Sequence, residues 1–265
     1  MSKTEKKNLL AIDDLVDDLD DIINWAIRYK NDVSIHQDFK PLDGMSIGSI
    51  YEKPSTRTRV SFEIGMQKLG GNSIFLSTSE LQMSRGESVP DTARVLSSML
   101  DAVVIRTANH ELLEIFRMNS SATVINGLSN LYHPCQILAD LMTFKEKNGN
   151  SELKKVCWIG DGNNVCNSYI EASKMLNFEL SIYCPKEYSP NHSFLDYAKE
   201  NSSFANSREE AAKGADIITT DVWVSMGDEK TKERAFEGYF VDTELIENTG
   251  KKSIFIHCLP AHRGQ

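Results

Sequence analysis

The stretch that sets the fold is residues 45–69, MSIGSIYEKPSTRTRVSFEIGMQKL. It opens on an apolar run typical of a short buried strand, Pro54 ends that strand, and residues 60–69 have the composition of a helix. Ser55 or Thr56 is expected to cap the helix, which places hydroxyls and arginines where backbone N–H groups are unpaired and the helix dipole is positive. Such a turn either binds a phosphate or is an ordinary capped helix start with surface arginines.

Short apolar runs alternate with helical stretches along the whole chain. An amphipathic helix with an acidic, solvated face is expected over residues 12–27. Strands are predicted at residues 46–51, 73–76, 102–105, 123–125, 155–159, 179–183, 216–219 and 253–257. Helices are predicted at residues 57–69, 90–100, 111–118, 134–147, 165–176, 193–200 and 242–248.

This alternation predicts an α/β fold with mainly parallel sheets flanked by helices. The polar, glycine-containing segment 145–151, KEKNGNS, separates two series of strands and follows a predicted helix. We therefore expect two domains, residues 1–148 and residues 149–265.

Composition excludes several classes of protein. The chain has 265 residues and a formal net charge of −9, which argues against general nucleic-acid binding. No apolar run is long enough to span a membrane, and the N-terminus leads into an acidic helix, so neither a secretory signal nor a transit peptide is expected. The 5 cysteines are scattered without a C-x-x-C pair, which fits a reducing cytoplasm and makes structural zinc or disulfides unexpected.

Polar residues follow the predicted strands repeatedly. Ligands of open parallel sheets bind beyond the carboxyl ends of the strands, so these residues together predict a pocket for an acidic small molecule. Taken singly, Arg106 is more often a surface ion pair and His133 a helix cap. The strand-end segments are the turn at Ser55, Arg106, residues 133–136 (HPCQ), residues 161–164 (DGNN), Asp221 and Cys258.

Three of these segments leave alternatives open. The loop after residue 159 lacks the spacing of a dinucleotide fingerprint or a P-loop; Asn164 is its expected helix cap, and Asn167 either faces the cleft or is solvated. The segment 221–227, DVWVSMG, either folds over a substrate bearing an ammonium group or packs on the core. Cys258 is interpreted as a binding or orienting group and not a nucleophile, because its neighbour His257 points to the opposite face of the strand.

Four motifs together resemble one family. The segments STRTR (55–59) and HPCQ (133–136) resemble the carbamoyl-phosphate signatures of the aspartate/ornithine carbamoyltransferase family. The segments DVWVSMG (221–227) and HCLPA (257–261) resemble the features of its ornithine branch. The resemblance runs from about residue 9 to the last residue. It implies a two-domain α/β fold, with carbamoyl phosphate bound mainly by the first domain and ornithine mainly by the second.

The resemblance also implies roles for individual residues. The phosphate is held by Ser55, Thr56, Arg57 and Thr58, and the phosphate and carbamoyl group by Arg106, His133 and Gln136, with Pro134 and Cys135 in the same motif. Gln82 is implied to reach the site of a neighbouring subunit. Ornithine is implied to bind Asn167, Asp221, Ser225 and Met226, with Cys258 and Leu259 at the reacting centre. Arg57, Arg106, His133, Asp221 and Cys258 are the implied catalytic residues.

The implied reaction transfers a carbamoyl group from carbamoyl phosphate to the δ-amine of ornithine, giving citrulline and phosphate. It needs no metal or organic cofactor, and a cytoplasmic homotrimer of arginine biosynthesis is expected, with small-molecule substrates and no nucleic-acid or membrane partner. Family members continue past the position of Gln265, so the second domain is expected to be incomplete at its C-terminal end. The alternatives are a non-catalytic phosphometabolite-binding protein and a carbamoyltransferase for a related amine.

Overall fold

The computed structural model describes residues 6–79, 81–149, 151–224 and 230–262. The chain divides into two compact units, Met1–Cys135 and Gln136–Gln265. Each unit is built around one parallel sheet flanked by helices, as the sequence predicts. The unit division groups almost all of the helix at residues 134–148 with the second unit, and the predicted domain boundary after residue 148 stays a prediction.

The first unit carries a sheet of four parallel strands in the order β2-β1-β3-β4. Short 3₁₀ turns occur at Ile12–Leu15 and Gln82–Arg85. The helices are α1 (Leu19–Asn31), α2 (Val33–Asp38), α3 (Thr56–Lys68), α4 (Val89–Ser97) and α5 (His110–Asn119). The strands are β1 (Ser46–Tyr51), β2 (Asn72–Ser77), β3 (Ala102–Arg106) and β4 (Thr123–Leu128).

Both faces of this sheet are covered because successive residues of its central strands point to opposite sides. Ile47 and Val104 pack with Met66 of α3 on one face. On the other face, β1 and β3 pack against α4 and α5 through a cluster that includes Ile50, Val103, Ile105, Ala93 and Phe116. The carboxyl ends of β1 and β3 therefore lie side by side, with Tyr51 opposite Arg106.

The second unit carries five parallel strands in the order β7-β6-β5-β8-β9. Its strands are β5 (Lys155–Ile159), β6 (Glu179–Tyr183), β7 (Ser202–Phe204), β8 (Ile217–Thr220) and β9 (Ile254–His257). Its helices are α6 (Pro134–Asn148), α7 (Asn164–Leu176), α8 (His192–Tyr197), α9 (Arg208–Ala212) and α10 (Thr243–Glu247), with 3₁₀ turns at Lys186–Tyr188 and Lys230–Phe236.

Several short elements differ from the sequence predictions. The acidic helix expected over residues 12–27 is split, because the carboxylate of Asp14 accepts hydrogen bonds from the backbone N–H groups of Leu10 (2.6 Å) and Ala11 (3.2 Å) and fixes a separate 3₁₀ turn. Strand β7 and helices α2 and α9 were not predicted; each is too short to show a clear hydrophobic period. Among the described residues, no helix is long and apolar enough to cross a membrane.

Candidate functional site

The turn before α3 is an open helix start. Ser55 occupies the N-cap position in extended conformation (φ −148°, ψ 97°), but its side chain makes no capping hydrogen bond. The expected side-chain cap by Ser55 is therefore wrong. The first-turn N–H groups keep their capacity to bind an anion, which is what a phosphate at a helix N-terminus requires.

Arg106 extends from the carboxyl end of β3 to this turn. Its Nη1 donates to the hydroxyl of Thr58 over 3.2 Å. Burial lowers the pKa of Arg106, and the nearby positive charge of Arg57 lowers it further. Two guanidinium groups that repel each other across an open helix start favour an anionic ligand.

Arg59, the second arginine of the turn, is engaged elsewhere. It forms an ion pair with Glu63 one helical turn along α3 (2.8 Å) and lies 3.8 Å above the centre of the Phe75 ring. Of the two arginines in the turn, Arg57 is thus the one that acts on Arg106.

The sheet is irregular at Arg106. The register between β3 and β4 shifts between Ile105 and Arg106, where the partner of Arg106 becomes Leu128. Gly127 lies at this shift, and a Cβ there would come within 3.1 Å of Val104 and 3.6 Å of the Thr58 side chain. The glycine therefore lets β4 approach Val104 closely, where a larger side chain would have to displace the valine by a few tenths of an ångström.

His133 is a neutral side chain in a buried position. Burial, and then the neighbouring charge of Arg106, lower its pKa to about 4, so its imidazole carries no charge near neutral pH. Of the two roles expected at this position, the lowered pKa argues against a cation, and the role of hydrogen-bond donor stays a prediction. Next to it, burial raises the pKa of the Cys135 thiol to about 11, and the thiol points to the carbonyl oxygen of Asn126.

The other carbamoyl-phosphate candidates lie on nearby or separate elements. Pro134 begins α6, and Gln136 in its first turn donates from Nε2 to Oδ1 of Asp140 over 2.9 Å. Gln82 is exposed in the 3₁₀ turn Gln82–Arg85, and its predicted role in a neighbouring site stays a prediction. Thr56 is exposed at the start of α3.

In the second unit, Asp221 follows β8 and is 9 % exposed. Its Oδ1 accepts hydrogen bonds from the thiol of Cys258 (2.7 Å) and the backbone N–H of Val222 (2.7 Å). Its Oδ2 accepts from Nδ2 of Asn163 (2.8 Å). These neutral donors hold the carboxylate without cancelling its charge.

Cys258 directs its thiol to Asp221, while the ring nitrogen Nδ1 of His257 lies against the carbonyl oxygen of Cys258. The thiol thus lies against a carboxylate and not against the His257 ring, which fits an orienting group better than a nucleophile. Leu259, the following residue, is exposed.

Asn163, not Asn164, caps α7. Its Oδ1 accepts from the backbone N–H groups of Val165 (2.9 Å) and Cys166 (3.2 Å), so one side chain both starts the helix and holds Asp221. The expected cap at Asn164 is wrong because the helix begins one residue earlier. Asn167 is buried in the first turn of the same helix, which excludes the solvated alternative.

A cavity of about 280 Å³ opens beside Asp221, and its lining includes Trp223, Tyr239 and His257. This volume is close to the lower end of the range for small-molecule sites. Ser225 and Met226, the remaining ornithine candidates, lie outside the described residues. Within the described ranges, His, Cys, Asp and Glu side chains form no cluster of three that could hold a metal ion.

Two buried carboxylates have partners that the sequence reasoning did not identify. Asp161 pairs with Lys232 over 2.6 Å, and Asp140 accepts from both Gln136 and Tyr169. Asp161 was singled out as part of the strand-end segment 161–164, but its partner Lys232 was not. Asp140 was not singled out; its spacing of four residues from Gln136 on α6 indicates that one partner, whereas nothing in the sequence indicates Tyr169.

Two family models match nearly the whole chain. The model described as aspartate/ornithine carbamoyltransferase, carbamoyl-P binding domain, matches residues 7–146. The model described as aspartate/ornithine carbamoyltransferase, Asp/Orn binding domain, matches residues 152–265.

Named relatives and solved structures agree with these matches. The ornithine carbamoyltransferase of Halorhodospira halophila is 48% identical over 94% of this chain and 84% of its own length. That of Acinetobacter baylyi is 46% identical over 98% of this chain and 86% of its own. The structure of the Pyrococcus furiosus ornithine carbamoyltransferase has a TM-score of 0.90 and 38% identity, covering 98% of this chain and 87% of that one. The anabolic ornithine carbamoyltransferase of Campylobacter jejuni has a TM-score of 0.88 and 40% identity, covering 97% and 88%.

Proposed function

The chain belongs to the aspartate/ornithine carbamoyltransferase family, and we propose how its residues divide the work of the reaction. It transfers the carbamoyl group of carbamoyl phosphate to the δ-amine of L-ornithine, giving L-citrulline and phosphate. Residues 1–148 form the carbamoyl-phosphate-binding domain and residues 149–265 the ornithine-binding domain. The separate family matches to residues 7–146 and 152–265 support this division.

The first domain supplies an anion site. The helix start at Ser55, Thr56 and Thr58 donates hydrogen bonds to the phosphate, and Arg57 and Arg106 balance its negative charge. Carbamoyl phosphate carries about two negative charges near neutral pH, by analogy with a phosphate monoester. Neutralising them makes phosphate a better leaving group.

The carbamoyl oxygen gains negative charge as the amine attacks. Arg106, Thr58 and the neutral His133 are the donors assigned to it. A neutral imidazole can give one hydrogen bond without requiring a proton from solvent, so its contribution does not depend on titration near neutral pH. Gln136 binds the amino end of the carbamoyl group.

The second domain supplies the opposite charge. The δ-amine must lose a proton before it attacks, and a carboxylate held only by neutral donors attracts the ammonium form and then accepts its hydrogen bond as it reacts. The Asp221–Cys258 hydrogen bond is the observation that carries the choice of substrate, because a fixed anion suits the ammonium end of ornithine and repels a dicarboxylate such as aspartate. Asn167, Ser225 and Met226 complete the ornithine site, and Leu259 lies at the reacting centre.

We place the enzyme in the cytoplasm, in arginine biosynthesis. The five free cysteines fit a reducing compartment, and the structurally similar protein of Campylobacter jejuni is an anabolic ornithine carbamoyltransferase. Its assembly is a homotrimer in which the exposed Gln82 of one subunit enters the site of the next.

The reaction is tested by measuring citrulline from carbamoyl phosphate and ornithine, with aspartate and putrescine as alternative amines. Citrulline formed from ornithine, with no product from the other amines, is the expected result. A chain that binds phosphate but makes no citrulline would support the non-catalytic alternative.

The shared site is tested by mixing Gln82→Ala and Arg106→Gly subunits after dissociation. Some interfaces of a hybrid trimer pair an intact Gln82 with an intact Arg106, so activity should partly return. Confirmed hybrids without activity, or a fully active monomer, would contradict the trimer.

A further inference from the structure

We propose that Asp140 is a positioning residue that fixes the side-chain amide of Gln136 with its carbonyl oxygen toward the amino group of carbamoyl phosphate. The inference deepens the proposed function and rests on it, because Gln136 is assigned there to the amino end of the carbamoyl group. Asp140 itself touches neither substrate in this proposal. It acts only through Gln136.

Asp140 lies one helical turn after Gln136 on α6, where side chains four residues apart meet. It is 4 % exposed, and both of its oxygens are used: Oδ1 accepts from Nε2 of Gln136 (2.9 Å) and Oδ2 accepts from the hydroxyl of Tyr169 (2.8 Å). The carboxylate is thus held at two points in a buried position.

The chemistry of a carboxylate decides which way the amide of Gln136 faces. An ionised carboxylate only accepts hydrogen bonds, so the NH₂ group of Gln136 must turn toward Asp140. The carbonyl oxygen Oε1 is then directed away from Asp140 and is available to accept. The amino end of a carbamoyl group has two N–H donors, which is the complement of that oxygen.

Tyr169 connects Asp140 to the sheet of the second unit by hydrogen bonds. Its side chain is fully buried on α7 beside Trp158, and its hydroxyl bonds both Asp140 and Thr219 of β8. Thr219 stands two residues before Asp221 on the same strand. A connected set of side chains therefore runs from Gln136 to the strand that presents the amine-orienting carboxylate.

The burial of Asp140 also indicates that this residue has a functional role, because a buried carboxylate lowers the stability of the fold. Desolvation raises the pKa of its carboxyl to about 6, although the hydrogen bonds from Tyr169 and Gln136 oppose this shift. Neither donor carries a charge, so the fold holds a buried carboxylate balanced by neutral groups. Asparagine or an apolar residue would fill the same space at lower cost, so a requirement for an acceptor facing Gln136 explains the acid.

The test compares carbamoyl phosphate with acetyl phosphate, which has a methyl group in place of the amino group. The wild-type protein should prefer carbamoyl phosphate, measured as the ratio of the inhibition constant of acetyl phosphate to the KM of carbamoyl phosphate. An amide at position 140 can donate as well as accept, so Asp140→Asn no longer forces the orientation of Gln136. We expect this variant to lose about tenfold of the preference, which is one hydrogen bond of ~1.4 kcal/mol.

Two comparisons separate positioning from a structural role. Gln136→Ala should lose the preference for carbamoyl phosphate as well. The double variant, Gln136→Ala with Asp140→Asn, should lose no more than Gln136→Ala alone, because Asp140 acts through Gln136. Tyr169→Phe leaves the Asp140–Gln136 bond in place and should keep most of the preference. Thermal midpoints of all variants show whether each is folded.

An active wild-type protein whose preference is unchanged in Asp140→Asn, or additive losses in the double variant, would overturn the inference. A wild-type protein that makes no citrulline would instead overturn the proposed function. If Asp140→Asn does not fold, the wild-type crystal structure with carbamoyl phosphate decides: Oε1 of Gln136 must lie within hydrogen-bond distance of the carbamoyl nitrogen while Nε2 stays on Asp140. Any other orientation of the amide contradicts the role of Asp140.

Discussion

Two half-sites, one in each unit, use opposite arrangements of charge. In the first unit, Arg57 and Arg106 are like charges brought close together beside an open helix start. In the second unit, Asp221 is a nearly buried carboxylate held by Asn163, Cys258 and a backbone N–H. The like charges of the first half favour an anionic ligand, whereas the carboxylate of the second half is already held by three hydrogen bonds. Carbamoyl phosphate and ornithine carry the charges that complement these halves.

The largest effect is expected when the cationic half is broken. Arg106→Gly or Arg57→Gly removes a charge-assisted contact that strengthens in the transition state, worth about 3 kcal/mol, so kcat/KM should fall at least about a hundredfold. The matched control is Arg59→Gly, because Arg59 is engaged by Glu63 and Phe75 and should affect activity much less. Steady-state kinetics would contradict the assignment if the Arg106 and Arg59 variants behaved alike.

A second prediction concerns Asp140, a buried carboxylate of the second unit. The pKa of Asp140 is about 6 in the folded protein against an ordinary value of 3.8, so the folded state binds more protons between these pH values. The wild-type protein therefore loses stability as pH rises from about 4 to 6, and the penalty is fully present above that window. This loss of folding free energy amounts to about 3 kcal/mol, and it is absent from Asp140→Asn, whose side chain does not ionise.

Urea unfolding of both proteins at several pH values measures this effect. The free energy of unfolding of Asp140→Asn, relative to wild type, should rise across the window and be constant above it. A difference between the two proteins that does not change with pH would show that Asp140 is not a buried acid.

A smaller effect on activity is expected from Cys258→Ser, which changes only the half-site of the second unit. A serine hydroxyl can still donate to Asp221 but with a shorter reach, so Cys258→Ser should stay active with about tenfold weaker ornithine binding and little change for carbamoyl phosphate. Kinetics with each substrate varied in turn measure the split. A covalent thiocarbamate on Cys258, trapped by mass spectrometry during turnover, would contradict the orienting role.

The smallest effect is expected at His133. Because its pKa is about 4, its imidazole stays neutral from pH 8 down to about pH 6. The ¹⁵N chemical shifts of the His133 ring should therefore not move across that range. A titration of this ring near its ordinary pKa would show that the first half contains a third cation.

Much of the half-site in the first unit was predictable from the sequence because its residues lie close together in the chain. The turn at residues 55–58 lies within one strand–turn–helix unit, and the apolar runs around it fix β1 and α3. The roles of Arg59 and His133 were less visible, since the partners Glu63 and Phe75 and the burial of the imidazole depend on packing. In the second half, the contact of Asn163 with Asp221 spans separate strands and could not be derived from spacing.

The sequence by itself determined the alternation of strands and helices, the position of polar residues at strand ends, and, through four motifs, the family. These features depend on local periodicity and on residue type, which a linear chain displays directly. Tertiary structure alone decided that Arg106 meets Thr58, that Asn163 and Cys258 share Asp221, and that Asp140 holds both Gln136 and Tyr169. Hydrogen bonds and desolvation depend on distances and burial between segments far apart in the chain, so charge states and partners appear only after the sheets have assembled.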